Sequence, residues 1–270
     1  TRLDLRGWTL VAPPLVQGRR PERVLTLLDL ARSSVRDDVE TRLQQQFDTD
    51  RRTAALTTLH YALGIVADAL VAPLIADGIA LSVPADALGV AVDEALTPVG
   101  TWVGRSTPDI ECGATRRLGV RIAALIAPVA SAVAESADVN RRAISVVVDD
   151  KLRSEGLRVL RHVGGPRPSS LLDELLDEIG TGVHRAPRVV RVRPDDGPVV
   201  ALPVPRLCCV LSTTAMCGAC PSCPQHSPQA MPQRVQEWLE LLDEDGFRHV
   251  VGRTRTRVKA TCERPPVPDP

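Results

Sequence analysis

Residues 52–75 read RTAALTTLHYALGIVADALVAPLI, and the fold class turns on this stretch. Leu56, Leu59, Leu63, Val66, Leu70 and Leu74 recur there at helical intervals, which gathers them along one side of a helix. Asp48 and Thr49 stand ahead of it as start signals. Pro73 bends or ends it, because its ring has no N–H to give and collides with the preceding turn. Toward the N-terminus, Val24, Leu27, Leu28, Ala31, Val35, Val39 and Leu43 repeat the spacing, so Pro21 to Phe47 is expected to be one amphipathic helix. Toward the C-terminus, the pattern over Leu88 to Asp93 and Val99 to Val103 changes to period two beside Thr97-Pro98 and Gly100, which predicts a short hairpin.

Further helices are expected over Ala114 to Glu135 and Asn140 to His162, with Asn140 as N-cap and Gly164-Gly165-Pro166 as the stop. A shorter one begins at Ser170, with Asp173 three residues on, and ends near Gly180. Valine-rich Arg188 to Val192 and Val199 to Val204 flank Asp195-Asp196-Gly197 and read as a second hairpin. Pro232 opens a last helix with Val235, Trp238, Leu239 and Leu242 on one face, and the basic run Arg253 to Lys259 reads as an exposed edge strand. The expected class is mainly α with small β hairpins (α+β), divided into a mostly helical domain over 1–200, a cysteine motif over 201–230, and a C-terminal helix with a basic, proline-rich extension over 231–270.

Charge and composition exclude several functions. Lys+Arg 33 balances Asp+Glu 33, so no standing field attracts nucleic acid or anionic membrane. Trp8, Phe47, Tyr61, Trp102, Trp238 and Phe247 are the only aromatics, too few for base-stacking platforms, and nucleic acid is not an expected partner. No 18 residues run uninterrupted as apolar, so no transmembrane segment is expected; no apolar signal core follows Thr1, and a cytoplasmic location is the expectation. The chain has no Gly-x-Gly-x-x-Gly, no phosphate-binding Gly-x4-Gly-Lys-Ser/Thr and no His-Glu-x2-His, so the common nicotinamide and flavin sites are not expected.

Five of the seven cysteines, Cys208, Cys209, Cys217, Cys220 and Cys223, fall within sixteen residues. In a reducing compartment such thiols stay free, and crowded thiolates repel one another unless a cation compensates them, so a metal is the expected cause. Three ligand sets fit the spacing. One is Cys208, Cys209, Cys220 and Cys223, the pattern Cys-Cys-x10-Cys-x2-Cys. Another is the run Cys217-x2-Cys220-x2-Cys223-Pro224, partly similar to bacterial four-iron spacing, with a fourth thiolate from Cys208, Cys209 or Cys262. The last is zinc on four thiolates, or on three and His226. The adjacent pair Cys208-Cys209 argues against a zinc knuckle, whose paired ligands are normally separated by two to four residues so that the amides between them turn toward the sulfurs.

The run Arg206-Leu207-Cys208-Cys209, ten residues, then Cys220-Pro221-Ser222-Cys223 resembles the C-terminal signature of the FhuF-like ferric-siderophore reductases. The likeness is specific in the motif; residues 20–200 are similar to the family only in general layout. It implies a 2Fe-2S cluster held by Cys208, Cys209, Cys220 and Cys223, with 1–200 a siderophore-handling domain and 201–230 the cluster-binding motif. It also implies an activity: one-electron reduction of a ferric siderophore, of hydroxamate type, releasing ferrous iron. The electron would come from an external donor such as a ferredoxin or a flavoprotein reductase, in the cytoplasm or peripherally at the inner face of the membrane. The chain departs from the family in its extra thiol, Cys217, and in about 47 residues after Cys223. A zinc-stabilised binding or regulatory module without redox activity is the alternative.

Arg206 and the amides of residues 217–219 are the local donors that could reach sulfur and tune its potential. Cys112 and Cys262 have no partner at ligand spacing and are expected to pack as small hydrophobes. His60 and Tyr61 sit among apolar neighbours, where a core role is the ordinary one and a siderophore pocket the sharper one. His162, His184 and His249 lie near element ends, where solvated or capping roles are ordinary, and His226 could donate to sulfur.

Overall fold

The computed structural model describes residues 15–17, 22–94, 98–109, 112–163, 169–183, 188–192, 200–206 and 227–234. The described chain is mainly α with small β sheets, as the periodicities require. At its centre is α3 (Arg51–Val66), buried at every position from Thr53 to Val66 except His60 and Gly64. Its cap is Asp50, whose carboxylate accepts from the Thr53 N–H at 2.7 Å. Asp48 instead turns left-handed, at φ 46°, and ends the preceding helix. Thr57 and Thr58 survive in the core because their hydroxyls donate to the carbonyls of Thr53 and Ala54, at 2.8 and 3.2 Å.

Pro73 does not end the helical course. A π turn over Ala67–Val71 comes first, closed by the Ala72 N–H on the Ala67 carbonyl, and α4 (Ala72–Asp77) then begins with Pro73 in its first turn. Pro73 has no N–H to return to the preceding turn, and the π turn directly ahead of it is where the helical bonding pattern changes. Gly78, at φ 73°, ends α4.

The helix expected over Pro21 to Phe47 is three elements. Val24–Thr26 is a strand, β2, followed by α1 (Leu27–Ala31) and α2 (Ser33–Phe47), with extended backbone at Arg32. A capping box decides it: the Thr26 hydroxyl accepts from the Asp29 N–H at 3.1 Å, and the Asp29 carboxylate accepts from the Thr26 N–H at 3.1 Å. That fixes the helix start at Leu27 and leaves Val24 to pair with Ala91.

Taken with β1 (Leu15–Gln17), β2 joins the expected hairpin, β4 (Leu88–Val92) and β5 (Pro98–Val103), in a sheet of order β1-β5-β4-β2, parallel only between β1 and β5. All of β4 is buried: Leu88, Val90 and Val92 belong to the main core, while Ala91 meets Val24 and Trp102 on the other face. A smaller antiparallel pair joins β3 (Ala80–Ser82) to β6 (Thr107–Asp109).

The later helices run as expected: α5 (Ala114–Ser136), α6 (Arg141–Val163) and α7 (Ser169–Ile179). Asn140 caps α6 through its side-chain oxygen on the Arg142 N–H at 2.7 Å, and Gly180, at φ 73°, follows α7. The second hairpin forms from β7 (Arg188–Val192) and β8 (Val200–Val204), and β8 packs beside α6. A helical turn occupies 231–234; Gly164-Gly165-Pro166, the remainder of the last helix and the edge strand expected at Arg253 lie outside the described residues.

Two helical stretches, Arg51–Asp77 and Ala114–Ser136, are long and apolar enough to cross a membrane by length and composition. Most of the first is core of this fold, which accounts for its apolar character. The second packs on α3 and α7 and leaves Val120, Ala124 and Ala127 exposed.

α5 and α7 approach closely at Gly119: a Cβ there would stand 2.5 Å from the Glu178 Cβ and 3.2 Å from the Leu175 carbonyl oxygen. Gly119→Ala is expected to destabilise the chain by roughly 1–3 kcal/mol in denaturant unfolding, whereas Val120→Ala on the exposed side should stay within about 0.5 kcal/mol.

Candidate metal centre

The approach to the cysteines is built by β8 and α6. After the buried Val204 the chain reaches Arg206, two residues before Cys208. Two neighbouring carboxylates on α6 hold it. Asp150 accepts from the Arg206 backbone N–H at 2.6 Å and from its Nε at 2.7 Å, and Asp149 accepts from an Nη of the same guanidinium. Asp149 is itself fixed, by Arg153 Nε at 3.4 Å and the Thr181 hydroxyl at 3.2 Å, and Arg153 reaches on to Asp173 at 2.5 Å.

These are not surface ion pairs: the side chains of Asp149 and Asp150 are 1% and 8% exposed, and that of Arg206 18%. Burial pushes the Asp150 carboxyl above its ordinary range, and the hydrogen bonds and charge of Arg206 restrain the rise. Burial also opposes the charge of Arg153, but its bond to Asp173 and the Asp149 and Asp173 carboxylates prevail and raise its pKa.

Arg206, expected as a local donor near sulfur, has described partners on α6. Its Nε and one Nη are directed to α6 carboxylates rather than left for a sulfur. Past the cysteine segment, Met231 is fully buried. Cys208, Cys209, Cys217, Cys220, Cys223 and Cys262, with His184, His226 and His249, lie outside the described residues, and His162 falls in the last turn of α6. Among the described residues no cluster of His, Cys, Asp and Glu is set to hold a metal. The donor set of the motif suits iron, since four thiolates are the usual ligands of a 2Fe-2S cluster.

Cys112 is exposed rather than packed as a small hydrophobe. It lies in a turn before left-handed Gly113, and its carbonyl accepts from Arg117, which also grips Asp109 at 2.6 and 2.8 Å.

His60 and Tyr61 face different neighbours. Tyr61 belongs to the hydrophobic core, and burial, with the Asp93 charge, raises its pKa. The Nε2 of His60 is buried without a hydrogen-bond partner among the described residues. Its electrostatic neighbours are Lys151 and Glu155 on α6, an ion pair at 2.8 Å. Burial first, then the Lys151 charge, push the imidazole pKa down to about 3, with Glu155 opposing.

The residues that sequence reasoning missed are Asp149, Asp150, Arg153, Asp173 and Thr181. One signal was available: an acidic doublet directly after Val146-Val147-Val148 places Asp149 at the edge of an apolar helix face, where a carboxylate needs a cation. Compared with known proteins, the chain matches no family model and no curated protein.

His60 gives a signed pH dependence. Its folded pKa lies below the unfolded 6.5, so below that pH the unfolded chain takes a proton that the folded chain refuses. Stability should fall by roughly 1.4 kcal/mol per pH unit as pH drops toward about 3. Glu40 and Asp150, raised chiefly by burial, contribute with the opposite sign. Urea unfolding at about pH 7.5 and about pH 4.5 should show the loss reduced by roughly 2–3 kcal/mol in His60→Leu; an equal loss in both chains would contradict a neutral buried imidazole.

Proposed function

We propose that the chain is a FhuF-like ferric-siderophore reductase in which Cys208, Cys209, Cys220 and Cys223 hold a 2Fe-2S cluster. The observation that carries this reading is the cysteine pattern itself, adjacent ligands followed after ten residues by a Cys-x2-Cys pair. It is supported by an approach fixed at Arg206 through α6, a preorganised entry to the ligand segment. Such a cluster supplies one-electron exchange without making or breaking bonds.

The chemistry asked of the chain is modest. Hydroxamate oxygens are hard anionic ligands and hold ferric iron far better than ferrous. One electron from an external donor, a ferredoxin or a flavoprotein, converts the ferric ion to ferrous, and the siderophore lets it go. No covalent bond to the substrate is needed, and no general acid or base.

Loaded anaerobically with iron and sulfide and given a chemical reductant, the full chain should release ferrous iron from a ferric hydroxamate siderophore, measured with a ferrous-specific chelator. Cys208→Ser, Cys209→Ser, Cys220→Ser and Cys223→Ser should each lose the visible absorption and the release, and Cys112→Ser should keep both. Loss in Cys217→Ser with retention in Cys209→Ser would assign the ligands differently.

A further inference from the structure

One face of α5 builds the core and the other is left bare. Leu118, Ile122, Ile126, Val129 and Val133 are buried, while Arg116, Val120, Ala124, Ala127, Ser131 and Glu135 recur at three or four residues on the opposite side and are all exposed. Val120 is 57% exposed, one of two large hydrophobic side chains so placed among the described residues. The charges at the ends of this face oppose the helix that carries them. The first turn of α5 holds no acidic residue and the last turn no basic one; Arg116 stands near the positive N-terminal end and Glu135 near the negative C-terminal end, where the helix dipole disfavours each. Arg116 meets Glu178 only at 3.7 Å, with its own side chain 75% exposed. Among the described residues the Glu135 carboxylate makes no hydrogen bond or ion pair. Arg117, by contrast, is engaged by Asp109.

We infer that this face is the contact between two copies of the chain, with their α5 helices antiparallel about a two-fold axis. An axis passing between Ala124 and Ala127 sets Arg116 of one copy opposite Glu135 of the other, Val120 opposite Ser131, and Ala124 opposite Ala127, each pair occurring twice. The face is thus complementary to itself in charge. Pairing also removes the conflict with the dipoles, because Glu135 arrives at the N-terminal end of the other copy's α5 and Arg116 at its C-terminal end. Alanines at the centre let the helix axes approach to roughly 8 Å, the close end of the packing range, and Pro128 adds ring surface beside them. A lipid surface would accept Val120 and the alanines, but it offers no fixed charges at the spacing of Arg116 and Glu135. One helix pair about 35 Å long buries less than the roughly 800 Å² per partner of a standard interface, so the dimer is weak, with a Kd of order 10 μM. The inference uses no residue of the cysteine segment and does not rest on the proposed function.

Sedimentation velocity of the full chain over a concentration series spanning about 1 to about 200 μM tests it, and should show a monomer–dimer equilibrium. Arg116→Glu and Glu135→Arg each set like charges opposite one another twice, and each alone should weaken the dimer roughly tenfold or more. Mixed in equal amounts, the two variants restore both opposite-charge pairs between unlike chains, and the mixture should dimerise within about threefold of the unmodified chain. Circular dichroism follows the fold of each variant. Should Arg116→Glu unfold through its neighbour Glu178, Ala124→Arg, at the exposed centre of the face, should abolish the dimer on a folded chain. A chain that stays monomeric throughout the series overturns the inference, as does a dimer that Ala124→Arg and Glu135→Arg leave intact. A mixture that remains monomeric while both variants are folded overturns the antiparallel pairing. Flotation of the monomer with phosphatidylcholine vesicles, lost in Ala124→Arg, would make the face a membrane contact and overturn it too.

Discussion

Two carboxylates side by side on α6 and one arginine just past β8 join the helical body to the chain two residues before the first cysteine of the motif. Buried ion pairs add little net stability against well-packed apolar residues, because desolvation offsets most of the Coulomb gain. What such a pair supplies is definition. Asp150 takes the backbone N–H of Arg206 as well as its Nε, so the exit of the hairpin is set relative to α6.

That arrangement depends on where α6 lies, and α6 packs on α3, the π turn and α4. The buried threonines, the π turn and Pro73 are three departures from a plain apolar helix: the threonines back-bond to carbonyls, and the π turn, closed by the Ala72–Ala67 bond, comes directly before Pro73. Among the described residues His60 Nε2 has no such partner, and its environment keeps the imidazole neutral through the physiological range. Its neighbours Lys151 and Glu155 belong to the same helix as the Arg206 anchor, so α6 carries its polar side chains toward two separate tasks.

Much of this could be read from one sequence. Long apolar periodicities placed α3, α5, α6 and α7, and both hairpins followed from valine-rich runs and turn residues, since each signal is local. The strand Val24–Thr26 was missed because Val24 fits a helical stripe as well as a strand, and only the Thr26–Asp29 capping box and the pairing with Ala91 decide between them. The proposed ligands come from the sequence alone, and the carboxylates that hold Arg206 could not be read there. Cysteine spacing is a property of sequence, but the bond from Asp150 to Arg206 spans 56 residues, and no periodicity carries information over that distance.

The central claim is that the four thiolates hold a pair of irons that exchange one electron. Iron, zinc and acid-labile sulfide analysis of anaerobically purified protein, with paramagnetic resonance after dithionite reduction, tests it most directly. The account predicts a red-brown chain with about two irons and two sulfides and a signal from one unpaired electron on reduction. A colourless chain carrying stoichiometric zinc, silent after dithionite, would contradict it.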